Sequence, residues 1–192
     1  MTTTAEKVST TTWTLDPAHS SVEFSAKHMM ISTVRGRMGA VNGEIIVDDQ
    51  NPANSSIQLT VDIAGLTTSD EKRDGHLRSG DFFDAENHPE ATFKSTRIEP
   101  LSENKFRVAG DLTIRGTTKS ITLDVERDGE GVSPWGMVVA GFSSAITLNR
   151  KDFGLNWNVA LEAGGVLVSE NVKLEITIEA IKQVATADNA AA

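Results

Sequence analysis

Cysteine and tyrosine are both absent from the 192 residues. Without cysteine there is no disulfide, no thiolate zinc site and no thiol nucleophile. Aromatic side chains of any kind are scarce, at 5% of the chain. No run approaches the roughly 20 apolar residues of a membrane-spanning helix, so no transmembrane segment is expected. Positive charge is short as well: 18 Lys and Arg stand against 27 Asp and Glu, a net charge of −9. That balance argues against nucleic acid, whose phosphates demand clustered basic residues, and against docking on anionic lipid head groups. The first ten residues, Met1 to Thr10, contain no apolar segment of the kind a secretory signal needs, so a cytoplasmic location is expected. Recognisable catalytic patterns are missing too. His19, His28, His76 and His88 form neither His-x-His nor His-Glu-x-x-His, and no phosphate-binding glycine loop is present. Gly141-Phe142-Ser143-Ser144-Ala145 is only a loose match to a nucleophile elbow, because it lies in a strand pattern and lacks the last glycine. No catalytic residue, metal ligand or cofactor is therefore expected.

What is abundant is alternation. Val22, Phe24, Ala26 and His28 share one face against Glu23, Ser25 and Lys27. Ile57, Leu59, Val61 and Ile63 repeat the pattern, as do Phe106 to Ile114, Ile121 to Val125 and Val172 to Ile178. A period of two is the mark of strands with one wet face. Further strands are expected over 36–47, 91–99 and 137–149, with Trp13 to Leu15 opening the first. The spacing of Met38 and Val41 breaks the period, and a bulge or bend among Gly36, Gly39 and Gly43 restores it. Thr68-Ser69-Asp70-Glu71 fits a capping box, which predicts a helix over 69–78 with Thr68 as N-cap. These elements place one domain at 13–183 between flexible tails at 1–12 and 184–192. They suggest an antiparallel barrel or a sandwich.

His28 faces inward if the Phe24 face is the core side. It is then a hydrogen-bonded core histidine, a polar contact in a ligand cavity, or an acid–base group. Arg73 and Asp74 are exposed charges on the helix, or they pin it over one end of the barrel as a plug. Arg35 and Arg37 read as outer-surface charge.

Four segments, in order, resemble the YceI-like family of lipid-binding proteins: Trp13 to Phe24 with His28; Arg73 to Asp84 with Pro89 and Phe93; Gly110 to Thr118; and Arg150 to Gly154 with Val172. The resemblance implies an all-β, eight-stranded, lipocalin-like antiparallel barrel with one or two short helices. It also implies an elongated apolar pore for a polyisoprenoid or another long-chain amphiphile. An isoprenoid quinone, a polyprenyl phosphate or a fatty-acid amide would be the kind of ligand. Relatives in this family are dimeric, which makes a homodimer the corresponding expectation. Many members carry a signal peptide, a departure already noted, and Met38 stands where the family's Gly-x-Phe pattern has Phe.

Weighed by residue chemistry, the pore walls are expected from Phe24, Ala26 and His28 on one strand and Met38 and Val41 on the next. Leu59, Ile63 and Phe93 follow, then Leu112, Ile114, Phe142 and Ile146. Phe153 and Trp157 are expected to flank a mouth, while Trp13 and Trp135 serve as core or rim anchors. Small inward residues (Ala26, Gly36, Gly110) are expected to leave space along the axis. A charged head group should stay near a mouth, because burying an unpaired charge is costly. Three functions follow: a non-enzymatic carrier or store of isoprenoid-type lipid, a lipid-modifying enzyme using His28, and a ligand-free interaction or stress-related module.

Overall fold

The computed structural model describes residues 10–162 and 164–184. Its strands are β1 (Thr10–Leu15), β2 (Ser21–His28), β3 (Ser32–Arg37), β4 (Val41–Asp48), β5 (Ser56–Asp62), β6 (Glu90–Ser102), β7 (Lys105–Ile114), β8 (Thr117–Val132), β9 (Val138–Asn149) and β10 (Val168–Lys182). One helix, α1 (Glu71–Arg78), lies between β5 and β6. The strands pair antiparallel in the order β1-β4-β5-β6-β7-β8-β9-β10, and β10 returns to β1 through Trp13↔Lys182 and Leu15↔Ala180. This is a closed eight-stranded antiparallel β-barrel. Closure leaves no free edge around that ring, which removes the template for edge-to-edge association.

β2 continues along the β10 edge below β1, with Leu174↔Phe24 and Val172↔Ala26, and β3 pairs with β2. The chain over 10–28 and over 32–48 is thus two long strands, each broken once. The first break is the turn 16–20, where the Asp16 carboxylate accepts the Ala18 amide at 2.9 Å and meets His19 Nδ1 at 2.8 Å. The second falls at Met38-Gly39-Ala40, where the period of two fails in the sequence. There the Gly39 amide donates to the Asp62 carbonyl, and the Asp62 amide to that of Ala40, both at 2.9 Å. The single strand expected over 36–47 is therefore two strands around a bend. The chain enters the barrel at Thr10, so the segment expected to be a tail over 1–12 begins its strand three residues before Trp13. The rest of both expected tails, 1–9 and 185–192, lies outside the described residues.

Alternation puts one face of each strand inside. β6 shows how a long strand keeps its apolar residues there: a register shift between Ser95 and Arg97 inserts one residue, so that Phe93 and Ile98 are both buried despite opposite parity.

α1 is polar almost throughout, and Asp74 is its buried residue. A helix of eight residues is marginal by itself and depends on tertiary anchors. Asp74 supplies them by accepting hydrogen bonds from the Thr67 hydroxyl at 2.9 Å, the Thr68 amide at 2.7 Å and the Thr68 hydroxyl. Arg73 Nε donates to the Thr68 hydroxyl at 2.7 Å, and Arg78 donates to the Leu66 carbonyl at 2.9 Å. Because Thr68 is occupied in this way, the N-cap is Asp70, whose carboxylate accepts the Arg73 amide at 3.0 Å. The Thr68 cap expected from the sequence is corrected accordingly. Of the two roles open to Arg73 and Asp74, the structure has them pinning the helix across the lower end of the barrel.

Candidate functional site

The interior is not filled. An upper chamber of about 490 Å³ opens between the β4–β5, β6–β7 and β8–β9 connections, and a lower chamber of about 180 Å³ reaches down to α1. Leu59, Phe93, Leu123 and Ile176 border both and form a waist. Above the waist the wall is apolar, with Ile45, Val47, Ile57, Phe106, Val108 and Val125 among its residues. Charge is confined to the rim, at Asp49, Glu103, Arg127, Glu130 and Lys182. Arg127 and Glu130 pair with one another, and Lys182 lies 5.7 Å from the centre of the Trp13 ring. The floor of the lower chamber is built from Leu77, Phe82, Phe83, Phe153 and Leu155. Arg115 ties it together by donating to the carbonyls of Gly80 at 2.6 Å and Gly154 at 3.1 Å.

Of the twelve wall and two mouth residues expected from the sequence, ten lie on these chambers. Phe24, Ala26, Met38, Leu112, Ile114, Ile146 and Phe153 line the lower one, Phe142 the upper, and Leu59 and Phe93 both. Val41 and Ile63 are instead packed in the core cluster. His28 ends β2 opposite Ser32 and Val168 and lies on neither wall. Phe153 and Trp157 do not flank a mouth. Phe153 is buried in the floor, and the Trp157 ring packs edge-on against His76 at 4.6 Å and beside Phe82 at 5.3 Å. The loop that carries them follows β9 to the end that α1 closes.

The expectation for Gly36 and Gly110 is also reversed. A Cβ at Gly36 would lie 2.4 Å from Phe24 Cζ, and one at Gly110 2.4 Å from Phe93 Cζ. The glycines therefore seat aromatic rings and do not widen the axis. Wall residues that the sequence reading passed over, such as Phe106 and Val108, share strand parity with Leu112 and Ile114. That signal was sufficient to find them. Ile98 was hidden by the bulge.

Arg150, in the 3-10 turn after β9, lines the lower chamber and is 6% exposed. Its Nε donates to the Ser169 carbonyl at 3.0 Å and its Nη1 to the Leu155 carbonyl. Burial pushes its guanidinium below the ordinary arginine value, and the charge of Glu170 opposes this. Burial alone would raise the Asp74 carboxyl, but its hydrogen bonds from Thr68 and Thr67 outweigh that and hold it below the usual carboxylate value.

Among the described residues, the one group of three or more potential metal ligands is Asp16, His19 and Glu179, whose donor atoms lie within 4.8 Å of one another. It sits at the β1–β2 turn and borders neither chamber. In the elbow-like segment of β9, Ser143 donates to Asp128 at 2.8 Å and Ser144 to the Asp124 carbonyl at 2.8 Å, so neither hydroxyl is paired with a histidine. No helix among the described residues is long and apolar enough to cross a membrane.

The sequence is 38% identical over 167 residues to a UPF0312 protein of Vibrio parahaemolyticus, covering 86% of this chain and 84% of that one. The barrel superposes on crystalline BcnA of Burkholderia cenocepacia with a TM-score of 0.73 at 26% identity, over 86% of this chain and 98% of the other. It shares its fold with a polyisoprenoid binding domain from Saccharophagus degradans, with a TM-score of 0.65 at 16% identity, over 92% of this chain and 100% of that one. The model of the YceI-like domain matches residues 13–180, and with nearly the whole barrel inside that match the chain belongs to the YceI-like family.

Proposed function

We propose that this barrel binds, and so stores or transports, a polyisoprenoid or another long-chain amphiphilic lipid, without transforming it. The observation that carries this reading is the unfilled, mainly apolar interior: an upper chamber of about 490 Å³ with its charged residues at the rim, continued below a waist by a second chamber whose wall is almost free of exposed polar atoms. That volume lies within the range of about 300–1,000 Å³ typical of small-molecule sites. Affinity in such a channel comes from burial. At about 0.8 kcal/mol per buried CH2, one five-carbon isoprene unit contributes on the order of 3–4 kcal/mol before the cost of ordering the chain. Several units outweigh any single polar contact, so chain length and width should govern selection. The polyisoprenoid-binding domain of Saccharophagus degradans has the same fold, which is consistent with a pore of this kind.

The enzyme reading is not favoured, because His28 borders neither chamber. Native mass spectrometry of protein purified without denaturant tests the proposal. A co-purifying long-chain molecule, or uptake of added octaprenyl quinone by the delipidated barrel, is the expected result. Failure of both would overturn it.

A further inference from the structure

The sequence places any charged head group at the mouth, yet the structure puts a buried arginine, in no direct ion pair among the described residues, at the opposite end. Arg150 is 6% exposed on the wall of the lower chamber. Two of its donor nitrogens are spent on backbone carbonyls, Nε on Ser169 at 3.0 Å and Nη1 on Leu155. These two bonds fix the guanidinium plane and brace the turn that carries Phe153. The third nitrogen, Nη2, is buried and has no hydrogen-bond partner among the described residues. Bracing the turn accounts for Nε and Nη1 and leaves Nη2 unexplained. Nor does a carboxylate make direct contact with the guanidinium: Glu170 acts on Arg150 only through its field. Glu170, on the neighbouring strand, is paired with Lys151 at 2.5 Å, and Arg150 takes part in no ion pair among the described residues. The guanidinium carbon lies 5.8 Å from the centre of the Phe82 ring. Leaving a buried donor without a partner is destabilising, and more so when it is charged.

Resting on the lipid-binding reading above, we propose that Arg150 receives the head group of the bound lipid. An anionic carboxylate accepts a hydrogen bond from Nη2 in the lower chamber, and the tail runs up through the waist into the upper one. The ligand is bound head-down. A carboxylate fits better than a phosphate ester for two reasons. The chamber is small, about 180 Å³, and it offers one spare donor nitrogen and one positive charge, not a cluster. The remainder of its wall is apolar and suits the first carbons of the chain.

The test compares two ligands that share a tail, geranylgeranoic acid and geranylgeraniol, on the delipidated full-length protein at neutral pH. A charge-assisted hydrogen bond to a buried arginine should favour the acid by about tenfold or more. Arg150→Met should bring the acid-to-alcohol ratio close to one. Because Arg150 also braces a turn, the same point is read on the unaltered protein with acid labelled with ¹³C at the carboxyl. The bound carboxyl should stay ionised at pH values where the free acid is protonated. Equal affinity for acid and alcohol, or a bound carboxyl that titrates like the free acid, overturns the head-down assignment and leaves lipid binding standing. Failure of both ligands, and of octaprenyl quinone, to bind overturns both proposals together.

Discussion

Asp74 carries the plug at the level of a single side chain. It is buried, its charge is held by hydrogen bonds from Thr67 and Thr68, and those bonds lower its pKa against the opposing effect of burial. Asp74→Asn keeps the shape but turns an amide NH2 toward groups that already donate. The expected cost is about 1–3 kcal/mol, read from the midpoint of urea denaturation. The sign of the pH dependence follows from the lowered folded value. The contribution is complete above the unfolded carboxyl value of 3.8, and it is lost as pH falls below that toward the folded value. The stability gap between the native protein and the Asn variant should therefore narrow only in acid. A gap that is constant down to pH 2 would refute the assignment. Gly110 makes a second case. Gly110→Val would drive a branched side chain into the Phe93 ring and toward the Lys94 carbonyl, 2.6 Å from the position of a Cβ. Overpacking of this kind costs about 1–3 kcal/mol, and the displaced ring should close the waist, so the variant should lose ligand capacity along with stability. Alternation in the sequence places Gly110 on the inner face, but it carries no information about which neighbouring ring folds over it. For that reason Gly36 and Gly110 read as empty space when they are ring seats.

Elements were legible where local pattern decides them and obscure where the far end of the chain does. The inward faces of β5, β7 and β10 follow directly from period-two alternation, and the break near Met38 was visible as a lapse in it. The capping pattern gave the helix but not its first residue, because Thr68 and Asp70 are both competent caps and only the placement of Asp74 and Arg73 decides between them. The 3-10 turn over Arg150–Phe153 and the strandless residues after it were harder still. Whether Phe153 and Trp157 stand at a mouth or a floor depends on which barrel end receives α1, and that contact joins residues some eighty positions apart. Arg150 opens one of the segments that carry the family resemblance, but its burial is not legible there, since an arginine just past a strand ordinarily reads as surface charge. The floor is testable as an element. Phe153→Ala removes a ring that is 3% exposed from the cluster with Phe82 and Leu155. A loss of about 3–5 kcal/mol is expected. If the floor sets the depth of the pore, the variant should also shift its preference toward longer chains in a competition between isoprenoids of graded length. Unchanged length preference at reduced stability would show that the ring supports the fold without limiting the ligand.

For the molecule as a whole, closure and hollowness act together. A closed ring of eight strands supplies a continuous hydrogen-bonded wall, so the middle can stay unfilled without the sheet collapsing onto itself. The hydrophobic contacts forgone inside are then available to a guest. A ligand that binds only the folded barrel stabilises it by mass action, by about 2.7 kcal/mol at a free concentration one hundred times its dissociation constant. For a chain of this size each kcal/mol moves the melting midpoint by roughly 2–4 °C, so the loaded barrel should melt roughly 5–10 °C above the stripped one. Because the chamber walls are apolar apart from the buried Arg150, which bulk salt screens little, and the other charges lie at the rim, most of that increment should survive a rise in salt from low to molar concentration. A stabilisation that vanishes in salt would assign the ligand to the charged rim and not to the interior. No shift at all with an isoprenoid shown to be in solution would mean that the two chambers are a packing defect of the fold, with no guest to fill them.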